Sequence, residues 1–129
     1  MDIEIFVLCD AATDLAGKLN ILGTFDTLQV KAMPCVHPHC AIAMRVRFSR
    51  IEEGDHKFRI DFVNEDGQPL VPKLEGGIKV AFAAEVQSTA VNLVLGLNNL
   101  KIEQPGMYAI NLAIDGRQVG SQPLWVKKV

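Results

Sequence analysis

Cys35-Val36-His37-Pro38-His39-Cys40 is the one run in this chain whose residue types suit metal chemistry. Thiolate sulfur and imidazole nitrogen are the ligands zinc takes in structural sites. The spacing argues against such a site. Pro38 stiffens the backbone between the two histidines, and adjacent His39 and Cys40 on a strand point to opposite faces. A partial site using Cys35 with His37 or His39, completed from elsewhere, is the alternative. Asp10 and Asp14, with Asp26 beyond, offer carboxylate oxygens of the kind that bind calcium at the end of a sandwich. Both Asp10 and Asp14 equally suit turn and cap chemistry. Arg45, Arg47, Lys57 and Arg59 form a third candidate, a basic patch for an anionic polymer or acidic partner. Binders of single strands interleave aromatics for base stacking, and here the neighbouring aromatics fall on the opposite face. A wet sheet face laced with cross-strand pairs is the simpler reading.

Nothing else in the sequence announces catalysis. It has no G-x-S-x-G elbow, no Walker A loop, no dinucleotide G-x-G-x-x-G and no H-E-x-x-H. His37, His39 and His56 have no nucleophile at meaningful spacing. An enzyme would therefore need a site assembled from distant residues. A net charge of −2 over 129 residues gives no general pull towards nucleic acid or an anionic membrane. Short apolar runs leave nothing to span a bilayer. The opening M-D-I-E-I-F lacks the basic region of a secretory signal. Three cysteines give no regular disulfide framework. These features predict a cytoplasmic protein without cofactor.

The elements that must carry these residues are strands. Tyr108, Ile110, Leu112 and Ile114 alternate along one face. Asp115-Gly116 then supplies the positive φ that a two-residue hairpin turn needs. The chain returns through Val119 to Leu124-Trp125-Val126. Pro123 cannot donate to a ladder, so this last strand is expected to be an edge or to carry a bulge. Pro105-Gly106 before Tyr108 suggests the corner in which a tyrosine hydroxyl bonds back to the preceding loop.

Near the start, Ile3, Ile5, Val7 and Cys9 share a face, with Phe6 and Leu8 joining from the other. Asp10 to Gly17 reads as a loop or a helical turn. Lys18–Leu22 and Thr24–Val30 read as one long strand, with a bulge or a bend between sheets at Gly23. After a connection over 31–39, Ile42, Met44, Val46 and Phe48 and then Phe58, Ile60 and Phe62 alternate as the two arms of a hairpin. Residues 68–77 read as a loop between sheets. Short strands follow at Ile78–Phe82 and Val91–Leu97. Eight or nine short strands with little helix predict an all-β, antiparallel Greek-key β-sandwich, immunoglobulin-like or similar, forming a single domain over residues 1–129.

Two segments carry a family resemblance: C-D-A-A-T-D-L-A-G-K-L-N-I-L-G-T-F-D from Cys9 to Asp26, and P-G-M-Y-A-I-N-L-A-I-D-G-R-Q from Pro105 to Gln118, with P-L-W-V after it. They resemble a family of small bacterial β-sandwich proteins of unknown function. That family has an N-terminal Cys-Asp, Gly-Lys, Ile-Leu-Gly signature and a C-terminal Asp-Gly hairpin. The resemblance implies a bacterial, mostly β, single-domain protein and brings no catalytic residue or substrate. Gly106, Tyr108, Asp115 and Gly116 are then expected to be structural. The reading is a non-catalytic binding or assembly module, its partner a second copy or another protein rather than nucleic acid. Trp125, near an expected edge strand, is the surface for a homodimer. The alternative is a metal- or small-ligand-binding sandwich.

Overall fold

The computed structural model describes Met1–Val129. Nine strands form: β1 (Asp2–Leu15), β2 (Lys18–Thr24), β3 (Thr27–Val30), β4 (Cys35–Ser49), β5 (Gly54–Val63), β6 (Leu74–Val80), β7 (Ser88–Ile102), β8 (Gly106–Ile114) and β9 (Arg117–Lys128). The sole helical piece is a single 3-10 turn at Arg50–Glu52. Strands β2-β1-β4-β7 make one sheet, and β3-β9-β8-β5-β6 make the other. Every pairing is antiparallel except β3 with β9. The two inner faces share one apolar core. Ile42, Met44, Val46 and Phe48 meet Ile60, Phe62, Ile110, Leu112 and Leu124 there, all almost fully buried. The fold is an all-β, two-sheet sandwich.

The turn and the tyrosine corner expected near the C-terminus are both present. Asp115 and Gly116 both take positive φ, at 52° and 80°, and close the β8–β9 turn. Tyr108 is buried and its hydroxyl donates to the Gln104 carbonyl at 2.6 Å. The last strand is not an edge, however. β9 lies between β8 and the short parallel β3, and its bulge sits at Val119, where Leu112 faces Gly120 and Ala113 faces Gln118. Pro123 is tolerated because it precedes the β3 ladder, which begins at the Thr27–Trp125 pair.

Several other expectations are corrected. β4 and β5 are not a hairpin. The 3-10 turn carries the chain from one sheet to the other, so their matching alternation reflects a shared core rather than shared hydrogen bonds. Conversely, the link from β5 to β6 stays within one sheet. Strand β4 already begins at Cys35, which shortens the expected connection. Gly23, at φ 68°, does mark the bend where β2 leaves one sheet and β3 joins the other.

The start of the chain departs most from expectation. Ile3 pairs with Val46 and Ile5 with Arg45, so Glu4 is an extra residue, a β-bulge. A bulge reverses which side chains face inward. Phe6 and Leu8 therefore enter the core, whereas Val7 and Cys9 turn outward. The expected loop at Asp10–Gly17 is strand, and it forms with β2 a hairpin arm closed at Ala16-Gly17, both of positive φ. This arm folds over the outer face of its own sheet. Ala12, Leu19 and Ile21 from the arm, with Val7 and Val94, pack against the buried Cys9, Ala41 and Ala43. Alanine on β4 is what lets the arm lie this close. Replacing Ala43 with Leu is expected to overpack the layer and cost about 1–3 kcal/mol in urea unfolding. A cost below about 0.5 kcal/mol, the usual limit for ordinary surface positions, would mean that the arm does not press on β4.

Candidate functional site

The residues singled out for metal chemistry do not converge. Cys35 and His37 face the core side near the start of β4. The His37 Nε2 is buried there without a partner, and its ring lies 5.8 Å from Phe25. His39 points outward, its Nδ1 2.8 Å from Asn98 Oδ1. Cys40 is fully buried, and burial pushes its thiol up to about 11, which keeps it protonated and a poor ligand. Asp10 lies beside Gly23, whereas Asp14 is at the arm tip, 3.5 Å from Asn92. Asp26 accepts from Thr27 Oγ1 at 3.0 Å. No group of three His, Cys, Asp or Glu side chains is placed to hold a metal ion.

The basic patch is split by the same sheet crossing that separates β4 from β5. Arg45 and Arg47 stand on the outer face of one sheet, Lys57 and Arg59 on that of the other. The bulge re-aims Glu4 between the two β4 arginines. Its Oε1 takes Arg45 Nε at 2.8 Å and its Oε2 takes Arg47 Nε at 2.7 Å. Arg47 first, then Arg45, holds the Glu4 carboxyl below the usual range. Arg45 also donates to Asn92 and Arg47 to Ser88, both on β7. Asn92 in turn donates to the Gly17 carbonyl at 3.2 Å. A polar network thus crosses the sheet from β1 to β7 and ties down the arm tip. Across the molecule, Arg59 is engaged by Asp61 at 3.0 Å. Lys57, Arg59, Glu75, Gly77 and Ala113 border an open depression of about 430 Å³.

Spacing alone gave no signal for His56. It docks on Phe48, with ring centres 4.8 Å apart, beneath the cross-sheet turn. Its Nδ1 lies 2.6 Å from Asp115 Oδ2 and its Nε2 2.6 Å from the Glu52 carbonyl. Both neighbours are acceptors, so only the imidazolium satisfies both. The Glu52 carbonyl chiefly, and Asp115 next, raise the His56 pKa above its ordinary 6.5. Glu52 itself is lowered to about 2, first by the Ser49 amide. The acidic run at Glu52–Asp55 therefore builds a corner: Glu53 also caps the Phe82 amide at 2.8 Å.

The largest unsatisfied feature is an edge. Three of the four sheet edges are blunted in recognised ways. β3 has four residues, β6 carries Glu75 and Lys79 around Gly76-Gly77, and β2 is curled into the arm with Lys18 at its start. β7 is different. It has 15 residues, pairs only with β4, and contains no ionisable side chain from Ser88 to Leu100. Val91, Leu93 and Leu95 alternate towards the core yet stay only half-buried, because no strand continues the sheet past them. By contrast Trp125, the surface expected to self-associate, projects from an interior strand. It is 47% exposed, and the Lys127 ammonium lies 4.0 Å over its ring.

The His56 bridge makes a direct expectation. Because its pKa is raised in the fold, its contribution is fully present below about pH 6.5 and lost as pH rises through the folded value. The melting-temperature gap between wild type and His56→Gln should be widest in acid and narrow in alkali. A gap that widens with pH would contradict the assignment.

Residues 4–127 match a family of unknown function, DUF6941, and the chain belongs to that family. No curated protein matches it in sequence. Among solved structures, the Pseudomonas fluorescens alkylpurine DNA glycosylase AlkC, bound to DNA containing an abasic site analog, is similar over 79% of this chain. The identity there is 8% and the TM-score 0.43, and the match spans 28% of that protein. No helix is long and apolar enough to cross a membrane.

Proposed function

We propose that this member of a family of unknown function is a non-catalytic assembly module that works by β-strand addition at the open edge of β7. The observation that carries the reading is the unguarded strand itself. A free edge presents a row of unpaired N–H and C=O groups, which proteins normally blunt because any extended segment can pair with them. Leaving the longest edge uncharged from Ser88 to Leu100 favours a partner strand there. Val91, Leu93 and Leu95 add an apolar row that such a strand would cover.

The neighbouring polar network supports the same use. Glu4, Arg45, Arg47, Ser88 and Asn92 fix the outer face of β7 against β4. A strand held this way is pre-organised, so a partner meets it without a large ordering cost. The arm tip is fastened to the same strand through Asn92.

The test is a single inward charge. Lysine at Leu93 can snorkel out of a free edge but would be buried by an added strand. In native lysate, wild type should migrate as a complex larger than the chain, and Leu93→Lys as the free chain. A wild type that migrates alone, or a folded Leu93→Lys variant that keeps the complex, would contradict the reading.

A further inference from the structure

We infer that the strand completing the β7 edge is β7 of a second copy, antiparallel to the first about a two-fold axis at Leu93. The inference rests on the edge reading above and names its partner. Directly opposed residues of an antiparallel pair project on the same face. A two-fold axis through such a pair must therefore set a residue opposite itself. With the axis at Leu93, Val91 of one copy faces Leu95 of the other, and the row continues the core across the join. On the outer face Ala90 meets Gly96, two small residues that let the strands approach. A β-strand interface of this kind is isologous, as closed dimers require.

The charge pattern of the strand favours a second copy and an antiparallel direction. The paired run from Ser88 to Leu100 has no ionisable group to repel its own image. Its flanks are not alike: an acid stands alone at one end and a cation is paired with an acid at the other. Glu85 precedes β7, and Lys101 lies near its far end, 63% exposed with Glu103 at 3.4 Å. Antiparallel self-pairing brings the Glu85 end of each copy to the Lys101 end of the other, twice over. Parallel pairing would set Glu85 of one copy beside Glu85 of the other, with no cation between them. The arm tip, where Leu15 is 70% exposed, ends at this same strand and adds apolar surface beside the axis.

Purified protein should sediment at twice the chain mass at micromolar concentration. Cysteine placed at Leu93 gives a register-specific readout, since opposed Cβ atoms lie about 5 Å apart. Among the native cysteines only Cys35 is partly exposed, so the experiment uses a Cys35→Ser background. Leu93→Cys should cross-link readily under mild oxidation, and Val91→Cys many-fold more slowly. Glu85→Lys should weaken the dimer several-fold, and Glu85→Lys with Lys101→Glu should restore it. Equal cross-linking at 91 and 93 would overturn the two-fold at Leu93. A purified monomer that does not cross-link, while the lysate complex persists, would overturn the second copy and leave a foreign strand on the same edge. Loss of both complexes would overturn the edge reading itself.

Discussion

A strand's backbone groups need partners on both sides, and a two-sheet sandwich cannot supply them at its four margins. That shortage shapes this fold more than the hydrophobic core does. The core is closed by rows of fully buried side chains from both sheets. Its hydrogen bonding is closed only within each sheet. One margin is cut to four residues, one is charged, and one is folded back as an arm. β7 alone runs along the boundary with an uncharged sequence from Ser88 to Leu100, bending only near its end, where Asn99 takes a φ of 53°.

β4 is the strand that makes this arrangement possible, because it serves three environments at once. Ile42, Met44, Val46 and Phe48 fill the core. Ala41 and Ala43, facing out, are small enough to lie under the arm. Arg45 and Arg47, further along the same outer row, meet Glu4. The bulge at Glu4 couples these roles. It turns Phe6 and Leu8 inward, gives Val7 and Cys9 to the second apolar layer, and aims one carboxylate at two guanidinium groups. Each of those guanidinium groups then reaches β7. Exposed ion pairs of this kind add little stability, so the effect of the network lies in orientation. It ties the outer face of the edge strand to β4 and, through Glu4, to β1.

Features set by local chemistry were legible in the sequence. Asp115-Gly116 demands positive φ, Tyr108 follows its Pro-Gly corner, and every second residue of β4 from Cys40 onward, of β5 from Phe58 and of β8 from Tyr108 points to the core. Features set by which strands pair were not. Alternation is identical whether two strands share hydrogen bonds or only a core, so β4 and β5 read as a hairpin and their four basic residues as one patch. The Glu4 bulge left no pattern because Ile3, Ile5, Val7 and Cys9 are apolar on either face. Trp125 looked like edge surface because nothing in the sequence shows that Thr27–Val30 would pair beside it in parallel. His56 was invisible for the same reason, since its partners lie at Glu52 and, far along the chain, Asp115. Among the metal candidates one relation was legible in the spacing: His39 and Cys40, adjacent on a strand, point to opposite faces.

Residue-resolved amide exchange along β7, followed as the protein is diluted, addresses the edge most directly. Alternate amides of this strand donate to β4, and the others point away from the sheet. An edge paired with a second copy protects both sets at high concentration, and only the outward set loses protection on dilution. Outward amides that exchange freely at every concentration would contradict the account.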